Sequence, residues 1–151
     1  MWHARHWTFA VLVLAVAGLA LAACSPSSSG TTPKDPAVVV EKNAETGLSK
    51  LTLSAKAAER LGIATAAVTA GSAGGVAGTV VPYAAVIYDA SGKTWAYTNT
   101  GALVFVRQPI TVDRIEADRA VLSGGPPVGT LVVTVGVAEL WGIETGVGGG
   151  H

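Results

Sequence analysis

Turn signals recur about every ten residues between Thr79 and Gly146, and this spacing limits what the chain can fold into. Each signal separates two short runs that are rich in apolar, β-branched and aromatic residues. The turns are Asp89–Gly92, Asn99–Gly101, Glu116–Asp118 and Gly124–Pro127, and the runs around them are 80–88, 94–98, 103–112, 119–122 and 131–135. A chain that reverses so often forms antiparallel hairpins. The predicted fold is therefore mainly β, a small antiparallel β-barrel or β-roll.

One short helix is predicted ahead of this β region. Ser54 is a good N-cap for a helix over residues 55–61, and Gly62 is the residue type that ends one. Strand-like runs flank the helix at 51–53 and 63–68. The sequence thus predicts a strand, helix and strand unit before the recurrent turns begin.

Two further features bear on how the strands are arranged. Residues 70–78 are nearly all glycine, alanine and serine, so they bury little and are predicted to be a connection, a glycine-rich joint. Pro109 interrupts a strand-like run. Because proline donates no backbone hydrogen bond, its position predicts a sheet edge or a bulge there.

The first 24 residues have the form of a bacterial lipoprotein signal. An uncharged run of 17 residues from Trp7 to Ala23 follows Arg5, and Leu-Ala-Ala precedes Cys24. This pattern predicts cleavage after Ala23 and a lipid on the thiol of Cys24. A plain secretory signal that leaves Cys24 as a free thiol is an alternative. A membrane span is another, although the run is shorter than the ~20 residues a spanning helix needs.

The predicted organisation follows from this signal. Residues 1–23 form the signal peptide, 24–37 a lipid-anchored flexible linker rich in Ser and Pro, 38–146 a single β-rich domain, and 147–151 a disordered tail. The predicted location is the extracytoplasmic face of a bacterial cell membrane. Cys24 is the one cysteine, so no disulfide can brace the fold.

Charge and residue types limit the chemistry that the domain can perform. Removing Arg5 with the signal leaves nine of ten Lys and Arg residues against ten Asp and Glu, which argues against nucleic-acid binding. The histidines are His3, His6 and His151, so the domain has neither histidine nor cysteine. Ser-His and Cys-His catalysis and the usual zinc sites are excluded on that basis. The sequence predicts a protein that is not an enzyme and needs no cofactor.

A carboxylate cluster at one turn offers the oxygen ligands that calcium prefers. Asp113, Glu116 and Asp118 lie close together in the sequence. Arg114 and Arg119 alternate with them and would neutralise the charge. The favoured interpretation is a solvated turn without a metal.

Several residues are predicted to contact a partner. Trp141 lies near the end of the last structured stretch and is the strongest candidate, because exposed aromatic side chains often anchor interfaces. The other candidates are turn residues, namely Asp89, Gly92, Pro126 and Pro127.

An ordered set of stretches resembles the membrane-proximal domain of periplasmic adaptor subunits, also called membrane fusion proteins, of efflux transporters. The matching stretches are Val81–Asp89, Gly92–Tyr97, Phe105–Val112, Gly129–Gly136 and Ala138–Leu140. Residues 51–68 are similar to the segment that precedes the lipoyl half-motif in such adaptors. The resemblance covers about residues 48–141.

This chain departs from the adaptor pattern at its centre. Complete adaptors carry a β-barrel, a lipoyl domain and usually an α-helical hairpin where this chain has only residues 70–78. The resemblance implies a lipid-anchored, non-catalytic module that docks to the extracytoplasmic portion of a membrane efflux or export transporter. The alternative is a stand-alone envelope lipoprotein that binds a ligand or has a structural role.

Overall fold

The computed structural model describes residues 36–147, so Ala23, Cys24 and the predicted tail after Val147 lie outside the described residues. Within this range the chain forms ten strands and two α-helices. The helices are α1 (Ala55–Leu61) and α2 (Val137–Thr145). The strands are β1 (Val38–Lys42), β2 (Ser49–Leu53), β3 (Ala64–Ala67), β4 (Thr69–Ala73), β5 (Val76–Pro82), β6 (Ile87–Tyr88), β7 (Thr94–Gly101), β8 (Val104–Glu116), β9 (Arg119–Gly124) and β10 (Leu131–Val135). Neither helix is long and apolar enough to cross a membrane.

The predicted fold class is confirmed: the described chain is mainly β, and its antiparallel sheet curls into a half-barrel. The main path of the sheet has the order β3-β10-β7-β8-β9-β5-β4. The predicted helix forms as α1, with the Ser54 side chain accepting a hydrogen bond from the Ala57 N–H and Gly62 in the left-handed conformation. Local capping chemistry is therefore sufficient to place this helix.

The strand β8 turns the sheet from one half into the other. Its first part pairs with β7 and β2, and its last part pairs with β9. Pro109 lies at this change of partner, opposite Trp95, and the register shifts twice just beyond it, between Thr111 and Arg114. The missing N–H of Pro109 is tolerated there because β2 has already ended and β9 has not yet begun.

The two outermost strands of the order are neighbours in the chain. Val68 alone separates β3 from β4, and its side chain is buried. Its N–H donates to the Thr130 carbonyl at 2.8 Å, and its carbonyl accepts from the Gly129 N–H at 2.9 Å. The chain between β3 and β4 is thereby held against the loop that precedes β10, which helps to curl the sheet.

Buried side chains form two clusters on opposite faces of β7 and β10. Tyr97 and Val133 belong to the first core, whereas their neighbours Ala96 and Val132 belong to the second, as the two-residue period of a strand requires. The helices supply the remaining cover of the first core. Its buried members are Leu51, Leu53, Ala57, Ala58, Ile87, Tyr97, Phe105, Val133 and Leu140.

The second core lies inside the curl of the sheet. Six of its eight members lie on strands, and six of the eight are alanine or valine. They are Val68, Val81, Ala85, Ala96, Ile110, Ala120, Leu122 and Val132. Small side chains suit this position because a sheet that folds back on itself brings its own backbone close together.

The glycine-rich joint predicted at 70–78 is largely a β-hairpin, not an irregular connection. Strands β4 and β5 pair from Thr69↔Val80 to Ala73↔Val76. Gly74 and Gly75 both have positive φ, 55° and 83°, which is the requirement of a two-residue type I′ turn. The small side chains of this segment are the basis for predicting a connection. In the structure they allow the hairpin to lie close to β9.

The end of the domain also differs from the prediction. The sequence from Thr79 to Gly146 predicts β structure throughout, but residues 137–145 form α2. Leu140 on this helix is completely buried in the first core. Burial of one apolar face therefore outweighs the modest helix propensity of this segment.

Candidate functional site

Strands β7 and β8 place three large side chains on the helix-covered face of the sheet. Tyr97 lies directly opposite Arg107 in the antiparallel register, and Trp95 lies two residues before Tyr97, so these side chains share one face. Trp141 and Glu144 are three residues apart on helix α2, and both side chains lie against the same face of the sheet. We call these five residues the tryptophan–arginine cluster.

The guanidinium of Arg107 lies between two indole rings. Its central carbon is 4.2 Å from the ring centroid of Trp95 and 4.8 Å from that of Trp141. Both distances fall within the range for a cation–π interaction. The side chain of Arg107 is only 14% exposed, so the rings replace most of its contact with water.

Glu144 neutralises this nearly buried cation. Its side chain is 5% exposed, and its carboxylate accepts hydrogen bonds from Arg107 Nε at 3.1 Å and Arg107 Nη2 at 3.2 Å. The Tyr97 hydroxyl donates to Glu144 Oε2 at 2.5 Å. Each charge is thus paired and hydrogen-bonded, which is the condition under which a buried ion pair is tolerated.

The environment of Tyr97 keeps its hydroxyl protonated. Burial, and then its hydrogen bond to the Glu144 carboxylate, raise the pKa of Tyr97 well above its ordinary value. Ionisation would place a second negative charge beside Glu144. The hydroxyl therefore acts as a hydrogen-bond donor, which fixes the carboxylate in place.

The turn before β7 is tied to the cluster through Trp95. Asp89 Oδ1 accepts hydrogen bonds from the Ser91 N–H, the Ser91 hydroxyl and the Lys93 N–H, at 2.7–2.9 Å. Asp89 Oδ2 accepts from Trp95 Nε1 at 2.9 Å. The bond from the Ser91 hydroxyl and then that from Trp95 lower the pKa of Asp89 below its ordinary value. One carboxylate thereby fixes both the turn and the Trp95 ring.

An open groove lies beside this turn, with a volume of 680 Å³. We call it the aromatic groove, and it is lined by Tyr88, residues 92–95 and residues 109–112. Tyr88 is 53% exposed at its rim, and the nearby Tyr83 is 43% exposed. Partial desolvation raises the pKa of Tyr88, and the Tyr83 hydroxyl raises it further. Both tyrosines thus expose part of an aromatic ring to solvent.

Two of the predicted contact residues lie at this turn, and a third lies in the tryptophan–arginine cluster. Asp89 organises the turn, Gly92 lines the aromatic groove with positive φ, and Trp141 covers Arg107. Trp141 is half-buried, since it packs against the first core as well as against the cation. Its role in the described structure is intramolecular.

The other two predicted contact residues, Pro126 and Pro127, line a separate surface depression next to residues 77–79. Pro127 is exposed there, but Pro126 is less than 2% exposed. Contact of Pro126 and Pro127 with a partner stays a prediction, and of the two only Pro127 offers an exposed side chain for it.

The carboxylate cluster of the β8–β9 hairpin is held by arginine. Arg114 Nη1 lies 2.8 Å from Asp113 Oδ2, and Arg114 Nε lies 2.7 Å from Glu116 Oε1. Arg114 Nη2 also donates to the Ser72 carbonyl at 3.0 Å. Within residues 36–147 no group of three or more potential metal ligands is formed. Asp113 and Glu116 are thus paired with Arg114, and the solvated-turn interpretation stays a prediction.

Comparisons with known proteins add no identification. No family model matches the chain, and neither a curated protein nor a solved structure matches it. The resemblance to adaptor subunits therefore rests on the ordered sequence stretches and on nothing beyond them.

Proposed function

We propose that this protein is a non-catalytic, lipid-anchored adaptor-like module that docks to the extracytoplasmic face of a membrane efflux or export transporter. Two independent features support the proposal, the lipoprotein-type signal that precedes Cys24 and the aromatic groove of the β domain. The partner class comes from the adaptor resemblance of about residues 48–141.

The observation that carries the docking step is the aromatic groove beside a turn that is already braced. Four hydrogen bonds to Asp89 hold the turn and the Trp95 ring before any partner arrives. A surface that is already ordered loses less conformational entropy on binding. Exposed tyrosines such as Tyr88 are enriched among residues that anchor interfaces.

The anchor restricts which part of a partner the domain can reach. Twelve residue steps separate Cys24 from Pro36, the first described residue, so the span between them is at most about 40 Å. A lipid on Cys24 would hold Pro36, where the described domain begins, within that distance of the membrane surface and raise the effective concentration of the domain near membrane partners. Portions of a transporter that lie just outside the bilayer fit this limit.

The alternative, a stand-alone envelope module that captures a ligand, would be favoured by an enclosed cavity. The aromatic groove and the depression beside Pro127 are both open to solvent. Open surfaces of this kind suit a macromolecular partner better than a small molecule, which is usually enclosed on most sides.

The proposal is tested by recovering the tagged protein from membranes in mild detergent after cross-linking, with identification by mass spectrometry. A transporter subunit should be recovered with the wild type and lost with Cys24→Ala. Tyr88→Ala should reduce its recovery about tenfold, as expected for an interface anchor. Ile115→Ala, at a similarly exposed site on the β8–β9 hairpin, is the matched control and should leave recovery unchanged.

Two outcomes would count against the proposal. Recovery of the lipidated protein without any transporter would favour the stand-alone module. Equal loss with Tyr88→Ala and Ile115→Ala would show that the aromatic groove is not the docking surface.

A further inference from the structure

We propose that α2 exchanges between two copies of this chain, so that Trp141 and Glu144 of one copy complete the site formed by Trp95, Tyr97 and Arg107 of the other. We call the last three residues the acceptor site. The acceptor site lies on a different surface from the aromatic groove, and exchange of α2 does not depend on docking to a transporter.

Helix α2 has little capacity to persist by itself. It has nine residues, fewer than the ~12–15 that make an isolated helix even marginally stable. Its N-cap residue, Gly136, offers no side-chain cap, its last turn holds no basic residue, and Gly142 weakens its interior. The helix therefore depends on the surface that receives Leu140, Trp141 and Glu144, whichever copy supplies that surface.

The acceptor site is equally dependent on α2. If α2 left and nothing replaced it, Arg107 would lose both Glu144 and one of its two aromatic faces, and Leu140 would leave the first core. An open, unpartnered state is thus costly on both sides. The closed monomer and the exchanged dimer share the same contacts, since a second copy brings an identical helix.

The hinge between these two arrangements is a single residue. Gly136 joins the end of β10 to the start of α2 and has φ of 86°. This positive φ favours glycine in the closed arrangement, and a Cβ there would also lie 2.2 Å from Ile63 Cδ1, so the end of that side chain would have to move. An extended conformation at Gly136 would instead carry α2 away from its own domain and toward another. Short hinges of this kind favour exchange.

Charge reversal provides a test in which only exchange restores the ion pair. In Arg107→Glu the introduced carboxylate lies beside Glu144, and in Glu144→Arg the introduced guanidinium lies beside Arg107. Each variant therefore carries a like-charge pair in its closed form. When the two full-length variants are co-expressed, exchange brings opposite charges together at both sites. One site then pairs the two substituted side chains, and the other pairs the two native ones. The two chains carry different C-terminal tags, and they are purified from membranes in mild detergent.

The complementing pair should co-purify at least about tenfold better than two differently tagged copies of Arg107→Glu, in which exchange restores nothing. Its melting temperature should also exceed that of either variant expressed alone. Equal co-purification in both cases, or none in either, would overturn the proposal.

A second variant tests the hinge without disturbing the cluster. Gly136→Ala strains the closed form through its positive φ and its approach to Ile63, and this strain is relieved at both hinges of an exchanged dimer. We expect its dimerisation constant, measured by light scattering on the detergent-solubilised full chain, to rise by about tenfold or more. Gly142→Ala, which has open space around its Cβ, is the control and should not raise it. A Gly136→Ala protein that stays as monomeric as the wild type would overturn the proposal.

Discussion

The helix-covered first core is filled mainly by large side chains, whereas the strand-lined second core is filled mainly by small ones. The first core contains Tyr97, Phe105, Leu51 and Leu140, all fully buried, and it includes an ion pair at its edge. The second core is built mainly from alanine and valine. Helices can shift to accommodate large and charged side chains, whereas a sheet that curls on itself leaves little space between its own strands.

Two glycines show how closely the strands around the second core are packed. We call this part of the sheet the curled half. A Cβ on Gly78 would lie 2.4 Å from the Leu122 carbonyl oxygen, and one on Gly71 would lie 2.4 Å from Val80 Cγ2. The first contact is with backbone, which cannot rotate away. The second core is therefore limited by volume, while the stability of the first core depends on charge pairing. Substitutions at the ion pair and at these glycines therefore separate the two dependences.

The largest effect is expected at the ion pair. Arg107→Ala leaves the Glu144 carboxylate buried without a cation, and this should lower the free energy of unfolding by about 3–5 kcal/mol. Urea unfolding monitored by tryptophan fluorescence measures the change, because Trp95 and Trp141 flank the site.

A double-mutant cycle separates charge from packing at this site. Arg107→Met combined with Glu144→Gln removes both charges and keeps an acceptor for the Tyr97 hydroxyl. The double variant should lose less stability than the sum of the losses of the two single variants, with a coupling energy of about 0.5–3 kcal/mol. Strict additivity would mean that the pair is not energetically coupled.

The next effect is expected in the curled half. Gly78→Ala forces a methyl group against the Leu122 carbonyl, so the strands must separate and the free energy of unfolding should fall by about 1–3 kcal/mol. Thermal unfolding measures this loss. If Gly78→Ala left the free energy of unfolding unchanged, β5 and β9 could move apart without cost. The second core would then not be limited by volume.

The same two regions differ in how far their structure follows from the sequence. Ser54, Gly62 and the recurrent turns act locally, so α1 and the hairpins of the β region are predictable from short segments. The β4–β5 hairpin is missed because its strands lack large side chains, and their stability comes from β9 rather than from themselves. Helix α2 is missed for a related reason, since its packing against the first core outweighs an unfavourable composition.

The candidate site is only partly predictable from the sequence. Asp89, Gly92 and Trp141 are identified individually, from turn chemistry and from aromatic character. The link from Asp89 through Trp95 and Arg107 to Trp141 is not predictable in this way. The ion pair that completes it joins Arg107 to Glu144, which are 37 positions apart, and Tyr97 is 47 positions from Glu144. The alternation of Trp95 and Tyr97 on β7 indicates a shared face, but pairing that face with α2 requires the strand register and the existence of the helix.

A smaller, pH-dependent effect is expected at the turn that braces Trp95. The pKa of Asp89 lies below its ordinary value of 3.8, so folding favours the ionised carboxylate. Its contribution to stability is complete above about pH 4 and is lost as the pH falls below that value. Asp89→Asn should therefore be less stable than the wild type at about pH 7, and the difference should shrink between about pH 4 and pH 2 in thermal unfolding experiments. A difference that stays constant over this range would exclude the ionised carboxylate as its source.

The smallest effect is a gain, and it comes from the same kind of substitution that destabilises the curled half. Gly142 lies within α2, and a Cβ there would meet no atom within 4 Å. Gly142→Ala should therefore raise the free energy of unfolding by about 0.5–1 kcal/mol, because alanine loses less backbone entropy than glycine on forming a helix. Thermal unfolding of Gly142→Ala and Gly78→Ala side by side gives a matched comparison, with opposite signs expected. If Gly142→Ala were destabilising, α2 would have to pack against a surface that leaves no room for a methyl group, and the helix-covered core would be as limited by volume as the curled one.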